Sequence, residues 1–225
     1  MMVAFLFPGQ GAQVEGLLHQ LPEHPEVTRT IEEASEALRL DVDALDSAHL
    51  EFIVDQVGTA ESPVSISNIN APRQLVVAGS DAALDAVTAQ ALRQGAHHAE
   101  RLAVSVPSHC PLLQPVADRL EQEMARLPLR PPSMPYVSNR GGRPLSDAEA
   151  IRQDLATGVA HPVRWYDALE VTRELGVELF IEMPPGHVST RLVTELFRAS
   201  RRSRSRIKAS ATRPSSPHAT AMVSS

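Results

Sequence analysis

The sequence predicts an α/β fold. Three observations carry that prediction: short β-rich apolar runs, amphipathic helical stripes between them, and Gly- or Pro-marked turns where one gives way to the other. With 225 residues, 43% apolar and 21% charged, the chain can bury a core as one globular body with room for a subdomain.

Val3, Ala4, Phe5, Leu6 and Phe7 form a continuous apolar run that stops at Pro8-Gly9, as a buried strand does on entering a tight loop. Val27, Ile31, Ala34 and Leu38 recur at helical spacing, with Glu26, Glu32, Glu33 and Glu36 largely on the other faces. Residues 41–62 match no template and mark a discontinuity. Beyond them Val64 and Ile66 alternate with serines, Gln74–Ala78 is a second β-rich run, and Leu84, Val87 and Ala91 predict a helix after Ser80-Asp81. Leu102, Val104 and Val106 alternate as a third strand that breaks at Pro107-Ser108-His109.

A helix carrying Leu113, Val116, Leu120 and Met124 follows, ending before Pro128, Pro131, Pro132 and Pro135. Tyr136–Ser138 reads as a strand, Asp147–Thr157 and Tyr166–Leu175 as helices, and Leu179–Glu182 as a strand into the turn Met183-Pro184-Pro185-Gly186. The alternation of strands and helices predicts a mostly parallel sheet. From Arg198 the text becomes Ser/Arg-rich and then Ser/Pro/Ala-rich, the composition of a disordered tail.

Composition also excludes function classes. No apolar run approaches the roughly 20 residues of a membrane helix, and Met1–Phe7 lacks the charged start and cleavage site of a secretory leader, so a cytoplasmic protein is expected. The single cysteine, Cys110, cannot form an internal disulfide and fits a reducing compartment. The nine histidines include no H-E-x-x-H and no Cys/His pair at ligand spacing, so no metal is expected. Seven basic and no acidic residues follow Phe197, which leaves the first 197 residues at −13 against −6 for the whole chain. A body that acidic is a poor nucleic-acid binder.

Four segments could carry chemistry. Pro8-Gly9-Gln10-Gly11-Ala12-Gln13 follows the first strand, and Gly9 and Gly11 let its backbone bend and turn N–H groups toward a developing oxyanion; equally, it suits an ordinary strand-to-helix turn. His109 stands just past a strand end, where a general base can be held rigidly yet meet substrate, although a lone histidine is more often structural. Cys110 beside it points to the opposite side and reads as packed. Glu182–Val188 and Asn68–Gln74 read on their own as structural turns.

Taken in order, FPGQGAQ, SNINAPRQLVVAG, LAVSVPSHCPLL, HPVRW and EMPPGHV resemble the malonyl-CoA:acyl-carrier-protein transacylase family. The forms SVPSHCPLL and PPG look most like the epsilon subunit of bacterial malonate decarboxylase. The likeness covers residues 1 to about 50 and about 60 to 197. It implies a serine-hydrolase-like α/β acyltransferase core (1–59 and 105–197) interrupted by a ferredoxin-like subdomain (60–104), with residues 198–225 as a basic tail. It implies that a serine attacks the malonyl thioester, that His109 takes the serine proton, that the oxyanion rests on backbone N–H groups including that of Gln10 in the Gly9–Gly11 loop, and that the backbone carbonyl of Gly158 orients the histidine. No bound cofactor is implied. Malonyl-CoA is the implied substrate, the phosphopantetheine thiol of an acyl carrier protein the acceptor, and sibling decarboxylase subunits possible partners.

The sequence departs from that pattern in two places: the basic tail stands where the family has its last strand and helix, and the nucleophile block is missing. No two of its eleven glycines stand four apart, so the chain has no G-x-S-x-G, the elbow that presents a serine nucleophile. The missing block, which would also carry the arginine that selects a malonyl carboxylate, is expected at residues 50–60. Such a chain is expected to lack the covalent route, to expose strand edges and apolar helix faces, and to be marginally stable or to aggregate unless a partner covers them. The alternative function is a non-catalytic subunit that docks on a carrier protein or a complex.

Overall fold

The computed structural model describes residues 2–7, 37–43, 45–102, 106–183, 188–194 and 196–197. Met2–Leu6 form a strand (β1), as the apolar run requires. Its parallel partner is the last described strand, Val177–Glu182 (β8), and Met183 N–H continues the ladder to Leu6 O at 2.8 Å.

Leu38, Leu40 and Val42 alternate with Arg39, Asp41 and Asp43, which is the period of a half-buried strand, and Ala37–Asp43 forms one (β2). The sequence reading had given Leu38 to a helical stripe beginning at Val27. The structure corrects that end of the stripe, and its remainder lies outside the described residues. Helix Ser47–Val57 (α1) follows, with the Asp46 side chain accepting from His49 N–H and Leu50, Ile53 and Val54 turned inward. Val64–Ala71 (β3) and Gln74–Ser80 (β4) make a hairpin whose two-residue turn is Pro72-Arg73. Ser80 then caps helix Asp81–Arg93 (α2), and Asp81 in its first turn and Arg93 in its last both suit the helix dipole. His98–Leu102 (β5) completes the unit.

These strands lie in the order β3-β4-β2-β5, every neighbour antiparallel, so the β-α-β-β-α-β succession is ferredoxin-like. One face of the sheet buries Val42, Leu75 and Val77 against Leu50 and Ile53 of α1 and Leu84, Val87 and Ala91 of α2. The unit begins at Ala37, whereas the sequence division began it at residue 60 and left β2 and α1 with the larger core. The expectation of a mostly parallel sheet is corrected as well: among the described residues only β1 and β8 form a parallel sheet, and the four strands of the ferredoxin-like unit all pair antiparallel. Within 50–60, where a missing block was expected, α1 instead runs unbroken to Val57.

After β5 the chain resumes at Val106, outside any strand, and passes through a short 3-10 turn, Pro111–Leu113, into helix Gln114–Met124 (α3). Ala117, not the predicted Leu120, is its buried residue; Leu120 is 38% exposed. A small hairpin of Tyr136–Val137 (β6) and Pro144–Leu145 (β7) precedes helix Ala148–Thr157 (α4), which tightens into a 3-10 turn at Gly158–Ala160. Helix Trp165–Glu174 (α5), β8 and a helix over 188–194 (α6) complete the described chain. Gly142, at the tip of the β6–β7 hairpin, has φ +58, and a Cβ there would stand 2.7 Å from Asp167 Cβ. Only glycine lets the hairpin sit this close to α5.

Two backbone bonds join the halves. Ile69 N–H donates to Val163 O at 2.8 Å and Val163 N–H to Ser67 O at 2.9 Å, so the SNIN and HPVRW segments form one parallel bridge. A second apolar cluster gathers Leu6, Leu169 and Val193 with Trp165, Phe180 and Phe197, the two phenyl rings 5.4 Å apart. The β1–β8 pair also leaves apolar surface in solvent: Phe5 is 51%, Phe7 73% and Ile181 38% exposed. Among the described residues no helix is long and apolar enough to cross a membrane.

Two outcomes follow from this packing. Leu84 is fully buried, so Leu84→Ala should cost about 2–5 kcal/mol in chemical denaturation. The Glu182 carboxylate accepts from Ser189 N–H at 3.1 Å and Thr190 N–H at 2.8 Å and so closes the start of α6. Burial pushes this carboxyl upward, but the bonds from Thr190 and Ser189 outweigh it and hold the group below the usual glutamate range. Its stabilisation is therefore complete above the unfolded-state value and is lost as pH falls through the folded one. Glu182→Gln should lower stability at neutral pH by about 0.5–1 kcal/mol, and the difference from wild type should vanish in acid denaturation series.

Candidate active site

A helix leaves its last carbonyls without intrahelical donors, and those of α4 have to find partners elsewhere. The chain runs on from α4 into the 3-10 turn Gly158–Ala160, and two carbonyls of that turn find the same residue. His109 N–H donates to Val159 O at 2.6 Å, and His109 Nδ1 lies 2.9 Å from Gly158 O. A carbonyl oxygen only accepts, so Nδ1 carries the proton and the neutral ring keeps its basic lone pair on Nε2.

The backbone of His109 is bent to make this double contact. Its φ of +67° is the only positive value at a non-glycine residue among those described, and such a conformation costs on the order of 1 kcal/mol that its surroundings must offset. Pro107 and Pro111 restrict the chain on both sides. Cys110 is 1% exposed, its thiol donating to Pro107 O at 3.0 Å, which makes it a packed side chain and not a thiol presented beside the imidazole.

Gly158 caps α4, its N–H donating to Asp154 O, and its φ of −56° is ordinary helix. A Cβ built there meets nothing within 4 Å. Its carbonyl is engaged twice, by the His109 ring and, at 3.3 Å, by His161 N–H. His161 Nδ1 in turn lies 2.8 Å from Thr157 O, so a second imidazole is tied to the same helix end.

Behind this turn is a set of side chains that the sequence reading did not single out. Asp154 is 8% exposed, and its carboxylate accepts from Ser138 Oγ and, at 2.7 Å, from Tyr136 OH. Ser138 Oγ also accepts from Gly141 N–H at 2.8 Å. Arg140 donates to Thr157 Oγ1 at 2.9 Å, tying the same hairpin to the residue before Gly158. Burial first, then the hydrogen bond to Asp154 and its charge, push the Tyr136 phenol well above its ordinary value, so it remains a donor. The signal was present in the sequence as an acidic residue on the inward face of α4, one turn before Gly158.

Of the residues singled out from the sequence, His109 and Gly158 are therefore in contact, 49 positions apart along the chain. Gly9, Gln10 and Gly11 lie outside the described residues, as do 184–187 of the PPG turn and the tail from Arg198. Asn68 is on β3 beside the Val163 bridge, which makes its segment part of the joint between the two halves.

Comparison with known proteins identifies the family of the chain. The acyl transferase domain family matches residues 52–216. The malonyl CoA-acyl carrier protein transacylase of Salmonella typhimurium (strain LT2) is 39% identical over 139 residues, 62% of this chain and 44% of that protein. The chain spans about half the length of the curated relatives it matches. Among solved structures, the malonyl CoA-acyl carrier protein transacylase of Coxiella burnetii superposes with a TM-score of 0.69 at 32% identity, covering 73% of this chain and 53% of that one. A malonyl-transacylase in complex with its type II PKS acyl-carrier protein gives 0.69 at 33% identity, over 73% of this chain and 54% of that chain. The matched span takes in the described turn that holds His109 against Gly158, and the chain belongs to the acyl transferase domain family.

Proposed function

We propose that this chain carries the general-base side of a malonyl-CoA:acyl-carrier-protein transacylase site. The observation behind the reading is the His109 ring held through Nδ1 by the Gly158 carbonyl at the end of α4. That contact fixes the tautomer that leaves Nε2 able to take a proton, and the negative end of the helix favours the imidazolium that results.

In this reading a serine hydroxyl attacks the malonyl thioester while Nε2 takes its proton. The oxyanion is received by backbone N–H groups including that of Gln10, between Gly9 and Gly11. As the tetrahedral adduct collapses, the C–S bond breaks and the CoA sulfur leaves with the proton from the imidazolium. The phosphopantetheine thiol of an acyl carrier protein then gives its proton to Nε2 and attacks the seryl ester, and the serine leaves with that proton. The histidine and the oxyanion loop thus serve both half-reactions.

The chain has no G-x-S-x-G, so it does not supply that serine from a nucleophile elbow. In this reading the block that would hold it belongs between β1 and β2, since among the described residues β2 is paired on both edges and α1 runs unbroken to Val57. Alone, the chain then binds without acyl transfer, the reading that makes it a carrier-docking subunit. The SVPSHCPLL and PPG forms favour a cytoplasmic malonate decarboxylase-like setting, with that complex's carrier protein as partner.

Incubated with malonyl-CoA, the purified chain should show no hydroxylamine-labile malonyl adduct in its intact mass; such an adduct would place a nucleophile in this chain and overturn its assignment as a half-site. In a chimera that receives the elbow-bearing segment of the Salmonella relative between Phe7 and Ala37, malonyl transfer to carrier protein should appear. His109→Ala should then lower it by about 10²–10⁴-fold. Unchanged transfer in that variant removes His109 from the reaction.

A further inference from the structure

Asp154 is a carboxylate in the wrong place for helix stability. It sits in the last turn of α4, where the helix dipole disfavours an anion, and it is 8% exposed, where an unpaired carboxylate is costly. Two hydroxyl donors offset both penalties: Ser138 Oγ and Tyr136 OH, one on each carboxylate oxygen. Ser138 is itself 1% exposed and fixed by Gly141 N–H and by its own N–H to Arg143 O at 2.9 Å, so the β6–β7 hairpin presents both hydroxyls from a rigid frame.

The main chain of the same residue points the other way. Gly158 N–H donates to Asp154 O, so the residue whose side chain is clamped to the hairpin also fixes the peptide unit that leads to the carbonyl facing His109 Nδ1. We propose that Asp154 is a positioning residue for His109, acting through Ser138 and Tyr136 on one side and through Gly158 on the other to hold the ring in its Nδ1–H tautomer. The inference rests on the general-base reading of His109. It adds to that reading a carboxylate that never touches substrate or the imidazole and yet selects which ring nitrogen is basic. Arg140 bound to Thr157 Oγ1 is a second strap from the same hairpin, one residue before Gly158.

The test is nitrogen-15 NMR of the His109 ring in the full chain. Wild type should show His109 mainly as the Nδ1–H tautomer. Asp154→Leu should lower that fraction at least twofold, and Asp154→Asn, whose amide can still accept from Ser138 and donate to the Tyr136 oxygen, should restore most of it. Ser138→Ala and Tyr136→Phe, each removing a single donor, should give intermediate losses, and they carry the test should Asp154→Leu fail to fold. Leu84→Ala, destabilising but buried in the antiparallel unit, should leave the ring spectrum unchanged. An unaltered tautomer in Asp154→Leu or in both single-donor variants overturns the positioning role, as does an equal change in Leu84→Ala. A wild-type ring without the Nδ1–H tautomer would instead count against the base assignment of His109 itself.

Discussion

The architecture around the site depends on the unsatisfied carbonyls at the end of α4. A helix that stops inside a protein must give its terminal acceptors donors, and in the 3-10 turn that extends α4 the carbonyls of Gly158 and Val159 meet the ring and the backbone N–H of His109, with His161 closing the rest of the helix end. That exchange sets the tautomer of His109, accounts for its left-handed backbone, and ties the segment after β5 to a helix that begins at Ala148. The 3-10 turn over Gly158–Ala160 belongs to the same arrangement, since tightening the last turn brings consecutive carbonyls to face one neighbour.

The two halves of the described chain meet through main-chain atoms. Ser67 and Ile69 bracket Val163, and Ser67, fully buried, also donates its hydroxyl to Val76 O at 3.2 Å. The bridge belongs to the edge strand β3 of the antiparallel sheet, so the sheet keeps its own core while lending one edge to the rest of the fold. The two-stranded β1–β8 sheet is the thinner partner: its apolar cluster is small, and several of its large side chains face solvent.

Much of this was legible from residues alone. Helix α2 was readable because the capping Ser80 precedes a clear apolar stripe, and β4 and β8 because β-rich runs end at turns. His109 was marked by its place at a strand end and took its role from the likeness to a family, whereas Gly158 came from that likeness alone, since nothing local marks a glycine as the owner of an important carbonyl. Strand β2 was lost because Leu38 also completes a helical spacing with Val27, Ile31 and Ala34, and one shared residue turned a period of two into part of a period of 3.6. The network behind Gly158 was not legible for a different reason: Tyr136, Ser138 and Asp154 meet only once a hairpin and a helix have packed, and no spacing along the chain records it.

Gly158 contributes an oxygen that every amino acid possesses, and the space beside its Cα is open. The chemistry at this point is therefore uncoupled from residue identity: almost any side chain could occupy the position while the carbonyl kept its hold on the imidazole. A search scored on matching letters will undervalue the position. What the contact requires there is the path of the backbone.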